Sequence, residues 1–187
     1  MGDVASYSRS RIGASSLDED SYIGVDNLLP DMRGRTKSNY VPTEGSAIGY
    51  QSGDILIGNI RPYLKKIWLA DSSGGTNQDV LVVRLNSESL DEIGHRFLFH
   101  LLASDQFFAF NMQYAKGAKM PRGDKDSIMT FEIPIPPLAE QDRIVAILDR
   151  FDMLVNDLSS GLPAEIVARR RQYEHYRDRL LTFPEAA

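Results

Sequence analysis

The chain has 187 residues, of which 42% are hydrophobic and 25% charged, with a formal net charge of −5 and no cysteine. This length gives one ordinary domain plus a helical appendage rather than two full domains. Disulfides and thiolate metal sites are excluded, and no run of about eighteen apolar residues offers a membrane span. The N-terminal stretch MGDVASYSRSR lacks the apolar core of a signal peptide, and the expectation is a cytoplasmic protein. The acidic balance counts against nucleic-acid binding, whose usual footprint is basic. What matters is where the cations gather.

In chain order, the first half reads as mainly β. A short strand is expected within residues 3–9, followed by a polar, loop-like stretch to residue 16. Residues 22–26 form the next strand candidate. Leu29-Pro-Asp-Met-Arg-Gly34 is turn chemistry, and Arg33, Arg35 and Lys37 place three cations on one short polar segment. Residues 46–53 read as loop, 54–60 as a buried strand and 67–70 as the strand after it. Residues 72–79 form a glycine turn with polar side chains, and 80–85 a third strong strand.

The hydrophobic period then changes. Ile93, Phe97, Leu98, Leu101 and Leu102 predict a helix over 91–103, capped by Ser89 or Asp91. A second helix over 104–114 contributes Phe107, Phe108 and Phe110 to the core. A basic loop covers 116–125, one helical turn 124–129, and a strand 131–135. No internal repeat and no low-complexity tract is present.

The chain is organised around a proline-punctuated stretch that runs into a long helix. Pro134, Pro136 and Pro137 forbid a helix before this point and hold the backbone extended. In the helix from Leu138 to about Ser159 and just beyond it, the apolar residues fall at Ile144, Leu148, Phe151, Val155, Leu158 and Leu162, in steps of four, three, four, three and four. This is the seam of a coiled coil, and Ile147 and Leu154 widen it. A break at 159–163 precedes a second helix from Pro163 to about Leu181, with Ile166, Tyr173, Tyr176 and Leu180 on one side. The break can be a kink or a hairpin.

Three segments carry side chains suited to duplex DNA. The loop 116–125 holds Lys116, Lys119, Arg122 and Lys125 against one acid, Asp124. Lysine and arginine on a glycine-containing loop neutralise phosphates and release counterions. Arg61-Pro-Tyr-Leu-Lys-Lys66 joins two strands. Arg61 can bind a guanine edge bidentately, Tyr63 offers a flat ring with a hydroxyl, and Lys65 and Lys66 serve as point charges. Thr76, Asn77 and Gln78 add side-chain amides of the kind that pair with adenine, although beside Gly-Gly they are first of all turn formers. The same residues also suit ordinary turns and solvated loops. Arg169-Arg-Arg171 points in different directions on a helix and reads as a solvated face.

IPIPPLAEQDRIVAILDRFDMLVNDL (133–158) resembles the start of the conserved helical region in specificity subunits of type I restriction–modification systems. Residues 161–183 resemble the end of that region. GDILIGNIRPYLKKIWLA (53–70) and KGAKMPRGDKDSIMTFEIPIPP (116–137) are similar to segments of its target-recognition domains. The resemblance covers nearly the whole chain, but a full family member has two recognition domains and two helical regions, and this chain has room for one of each.

The resemblance implies an α+β fold: a β-rich target-recognition domain with packed helices over 1–136, then a long coiled-coil arm over 137–187. It also implies a non-catalytic protein that reads double-stranded DNA and positions methyltransferase subunits and, through them, the restriction/translocase subunit. In the family the helical regions pack as an antiparallel coiled coil. With one recognition domain, the expectation is a homodimer through Ile144, Leu148, Phe151, Val155 and Leu158, reading a bipartite palindrome. Ile147 and Leu154 would then face methyltransferase subunits. The alternative is a regulatory protein that binds such subunits with little DNA affinity, which the acidic balance favours. No methyltransferase, Walker or zinc-protease motif and no cofactor fingerprint occurs, so no cofactor, metal or catalytic residue is expected. His95, His100 and His175 do not cluster as metal ligands.

Overall fold

The computed structural model describes residues 1–157 and 163–182, with side chains described among them except at 154–157 and 163–166. The first half folds as two four-stranded sheets. The first, in the order β1 (Ala5–Tyr7), β8 (Val80–Leu85), β5 (Ile55–Gly58), β6 (Ile67–Leu69), is antiparallel throughout. The second, in the order β2 (Arg11–Gly13), β4 (Ser46–Tyr50), β7 (Gly74–Thr76), β3 (Tyr22–Ile23), is antiparallel except where β3 and β7 run parallel. Five α-helices follow among the described residues: α1 (His95–Leu102), α2 (Asp105–Gln113), α3 (Lys125–Met129), α4 (Leu138–Asp157) and α5 (Pro163–Leu180).

The first sheet is buried on both faces. Successive side chains of a strand point to opposite sides. Ile55, Ile57, Leu81 and Val83 therefore enter a core shared with α1, α2 and α4, while Leu56, Val80 and Val82 meet Ile23, Leu28 and Tyr50 from the second-sheet side. This explains why 54–60 and 80–85 read as continuous apolar runs. Each such side chain, fully buried, contributes roughly 1.5–3 kcal/mol.

Three strands of the second sheet lie where the sequence reads as loop or turn: β2, β4 and β7. They are short, polar or glycine-rich, and the close approach of backbones needs the glycines. A Cβ on Gly74 would run into the Ser21 carbonyl and stand 2.6 Å from the Tyr50 hydroxyl, and one on Gly75 would stand 2.8 Å from Ala47 Cβ. The expected strand at 131–135 forms no ladder; Pro134 and Pro136 supply no donors there. The carbonyl of Phe131, at its start, instead accepts from the Met1 ammonium at 2.8 Å.

The helices keep their expected places with shifted ends. The N-cap of α1 is Gly94, because a 3-10 turn at Ser87–Ser89 comes first. Ser104 caps α2, its Oγ accepting from Phe107 N at 3.1 Å, and Asp124 caps α3, its Oδ1 accepting from Ser127 N at 3.0 Å.

The arm is fastened to the domain. Ile144 and Leu148 of α4 are 1% and 0% exposed and lie in the same core as Phe97, Leu98 and Leu101 of α1. Gln141 of α4 clasps the start of α1: its Oε1 accepts from Gly94 N at 3.0 Å, and its Nε2 donates to the carbonyls of Glu92 at 2.7 Å and Pro136 at 2.8 Å. α5 runs back along α4. Phe151 stacks on Tyr176 at 5.6 Å between ring centroids, and Leu181 rejoins the core beside Ile144 and Leu148. The flanks of the break at 159–163 are thus an antiparallel pair; residues 158–162, with Leu158, lie outside those described. The expected dimer seam is corrected at Ile144 and Leu148, whose side chains this chain already covers. Phe151 is partly covered by Tyr173 and Tyr176, Ile147 is half-buried, and the side chains of Leu154 and Val155 are not among those described.

Candidate nucleic-acid interface

Three loops distant in sequence meet at one residue, Arg122. Its backbone exchanges two hydrogen bonds with Lys116, Arg122 N to Lys116 O and Lys116 N to Arg122 O, both 2.9 Å, and this pair closes the basic loop on itself. Gly117 turns it with φ +103°, in the left-handed region that favours glycine. On one side, Arg61 N donates to Pro121 O at 2.7 Å and Gly123 N to Asn59 O at 3.2 Å. On the other, the Arg122 guanidinium reaches Asp79 Oδ1 at 2.9 Å, while Asp79 O accepts from Asn59 N at 2.8 Å. The segments around 59–63, 76–79 and 116–125 therefore form one surface.

Beneath it lie Asn59 and Asn111, both buried. The Asn59 Oδ1 and both polar atoms of the Asn111 side chain make no hydrogen bond among the described residues. A Cβ at Gly123 would collide with Asn111 Oδ1 and stand 2.8 Å from Asn59 Oδ1, so glycine is what lets the loop lie down on them.

The basic residues differ in what holds them. The Lys116 ammonium pairs with Asp124 at 2.5 Å, and this ammonium, with the bonds from Ser127, holds the Asp124 carboxyl down at about 2. Arg61, Lys119 and Lys125 are exposed, and no side-chain partner meets them among the described residues. Tyr63 is half-exposed in the 3-10 turn at Pro62–Leu64, which Arg61 enters with a left-handed backbone (φ 54°). Arg9 and Arg11, which read from sequence as part of a polar loop, are further exposed cations without a partner among the described residues. Arg11 shares a groove with Asn77 and Gln78. The alternation Ser-Arg-Ser-Arg before an edge strand was the available signal for them.

Other candidates are occupied. Thr76 is fully buried and its hydroxyl donates to the Ile23 carbonyl, so it joins β7 to β3 and cannot reach a base edge. Lys37 is bound by Glu19 and Asp20 at 3.0 and 3.1 Å. Lys65 pairs with Asp105 at 2.5 Å, Lys66 donates to the Val25 carbonyl at 2.7 Å, and Arg35 lies 4.9 Å over the Trp68 ring. Arg33 donates from Nε to the Pro30 carbonyl at 3.1 Å. The cations of 33–37 and of the end of 61–66 thus each have a partner within the chain. Asn77 accepts from Asp79 N at 3.0 Å; Gln78 stays exposed.

On the helical side, Arg170 donates to the Asp31 carbonyl at 3.2 Å, so part of the run expected to be a solvated face is docked on the domain. His100 is buried with Nε2 3.1 Å from Asp149 Oδ1, and both His95 and His100 line one cavity beside α4. Among the described residues no group of three His, Cys, Asp or Glu could hold a metal, and no helix is long and apolar enough to cross a membrane.

The family model described as the type I restriction modification DNA specificity domain matches residues 18–168. A Haemophilus influenzae protein described as a type I restriction enzyme specificity subunit is 34% identical over 183 residues, 97% of this chain and 42% of that protein. The EcoR124I/EcoR124II specificity subunit of Escherichia coli is 39% identical over 90 residues, 48% of this chain and 22% of that subunit. The HsdS subunit from Thermoanaerobacter tengcongensis superposes with a TM-score of 0.63 at 24% identity, over 100% of this chain and 49% of that one. A second solved chain, from a type I restriction–modification system, gives 0.57 at 21% identity over 98% and 51%. The chain thus spans less than half the length of these curated relatives and about half of the solved chains. With the family model matching residues 18–168 and a relative 34% identical over 97% of this chain, the chain belongs to the type I restriction modification DNA specificity family.

Proposed function

We propose that this chain reads one half of a bipartite DNA site for a type I restriction–modification enzyme and does no chemistry of its own. The observation that carries the reading is the meeting of three loops at Arg122, which sets Arg61, Tyr63, Lys119 and Lys125 around one exposed surface. Unpaired cations there supply phosphate contacts, and amides and arginines supply base contacts. This answers the objection from the acidic balance, since local placement decides the field a duplex meets.

The α4–α5 pair acts as the spacer and docking arm for methyltransferase subunits, and through them for the restriction/translocase subunit. Its 20 residues in α4 span about 30 Å, close to one turn of B-DNA. A homodimer through this arm would use exposed apolar residues of the two helices, among them Met153 and Val167, since Ile144 and Leu148 are covered. Light scattering tests it: a mass that stays monomeric at high concentration rules the homodimer out.

The regulatory alternative draws support from the net charge of −5 and from the pairing of Lys37, Lys65 and Lys116 with acids. Co-purification with the cognate methyltransferase subunit, followed by methylation-site mapping, separates the readings. A gapped palindromic motif supports DNA reading by a symmetric dimer. A gapped asymmetric motif keeps DNA reading and requires a second, different recognition domain. A stable complex without sequence-specific methylation favours the regulatory role.

A further inference from the structure

The cations of the candidate interface divide into two kinds, and the division has a functional meaning. Arg61, Lys119 and Lys125 are exposed and unpaired among the described residues. Arg122 is also largely exposed, with 58% of its side chain accessible, yet its guanidinium is held at 2.9 Å by Asp79. Its backbone pairs with Lys116, and its two neighbours Pro121 and Gly123 bond Arg61 and Asn59 of the next loop. Asp79 is itself fixed, its N–H bonded to Asn77 Oδ1 at 3.0 Å and its carbonyl to Asn59 N at 2.8 Å.

A side chain that only neutralises phosphate gains nothing from such a carboxylate. The pair has no net charge, and an acid at that position repels the DNA backbone. A side chain that reads a base edge gains a great deal, because bidentate recognition requires the planar fork to stand in one orientation before contact. An arginine presented in this way matches the two acceptors of guanine in the major groove.

We infer that Arg122 reads a guanine edge and that Asp79 is its positioning residue, with Arg61, Lys119 and Lys125 making the backbone contacts around it. This rests on the DNA-reading proposal and assigns the roles within that surface.

The test uses the full specificity protein assembled with its methyltransferase subunit. Binding is measured to a duplex carrying the motif mapped for the wild type and to its single-base variants, across a salt series. Arg122→Ala is expected to erase discrimination at one base pair, by roughly 5- to 150-fold, with the other positions and the salt dependence kept. Arg122→Lys keeps the charge and is expected to lose preference at the same base pair. Asp79→Asn removes the carboxylate and is expected to do two opposite things: reduce discrimination at that base pair and raise affinity for non-specific duplex. A purely structural role for Asp79 would produce neither. Lys119→Ala is the control, weakening all duplexes alike and lowering the salt slope by about 1.

The inference is overturned if Arg122→Ala weakens matched and mismatched duplexes equally with that same fall in slope, which would make Arg122 a phosphate contact. It is also overturned if the Arg122 variants leave the motif intact. Both results leave DNA reading standing. A wild-type complex without any sequence preference overturns both proposals together.

Discussion

Arg177 of α5 has no exposed surface, and its guanidinium lies 3.5 Å from Asp105 at the start of α2, which is in turn 2.5 Å from the Lys65 ammonium. One carboxylate thus ties the returning helix of the arm to the loop that carries Arg61 and Tyr63. The tie is reinforced where Asp31 N and Met32 N donate to the carbonyls of Leu64 and Lys65, both at 2.9 Å, and where Arg170 binds Asp31. Arg177 also packs over the Tyr173 ring at 5.6 Å. Arg177→Ala is therefore expected to cost about 2–4 kcal/mol, through lost packing as well as the lost pair. The range stays below that of a fully buried pair because Asp105 is partly exposed. Urea unfolding measures it.

Leu148→Ala should cost about 2–5 kcal/mol, because the side chain is 0% exposed in the core shared with α1. A fragment ending at residue 136 should fail to fold, since it removes Ile144, Leu148 and Leu181 from that core together with the Gln141 clasp on Gly94. A cooperative thermal transition in such a fragment would contradict this.

Gly74→Ala is expected to disrupt the second sheet and cost about 2–3 kcal/mol. The added methyl has no space between the Ser21 carbonyl and the Tyr50 ring, and both are backbone or well-buried neighbours. Loss of the Tyr50–Trp68 edge contact, now at 5.7 Å, would appear as a change in near-ultraviolet circular dichroism.

On the DNA-reading proposal, Lys119→Ala and Lys125→Ala combined should weaken binding to any duplex and lower the salt slope by about 2, from about 0.9 per phosphate contact. Folding should be unaffected, because neither ammonium has a partner among the described residues. An unchanged slope would remove both lysines from the interface.

Two aspartates should give opposite pH signatures. Burial raises the Asp105 carboxyl, but the Lys65 and Arg177 charges outweigh it and hold it below its ordinary value. Its contribution is complete above the unfolded carboxylate value of about 4 and is lost as pH falls below it. Asp152 is raised by burial and by Asp149, against the pull of His100, the Tyr173 hydroxyl and Arg177. Its ionised form therefore costs stability, so folding is favoured below the unfolded value and weakened as pH rises through the folded one. Asp152→Asn should raise the urea midpoint at pH 7, with the gain disappearing by about pH 4; a gain that persists in acid would point to packing instead.

The sequence by itself determined the elements whose signal is local. The first sheet and all five helices were legible because alternate or continuous apolar residues, proline punctuation and capping side chains act within a few residues. The basic loop and the family resemblance were legible for the same reason. The tertiary structure alone decided the rest. The second sheet is made of backbone approaches at Gly74 and Gly75, which leave no hydrophobic pattern to read. The seam of α4 looked free because periodicity records that a face must be buried, not what buries it, and α1 covers its first half. Thr76 and Gln78 both read as turn residues in sequence, yet the hydroxyl of one is consumed between strands while the amide of the other stays exposed. Asp79 and Arg122 are 43 residues apart, and only the folding of three loops onto one another makes them a pair.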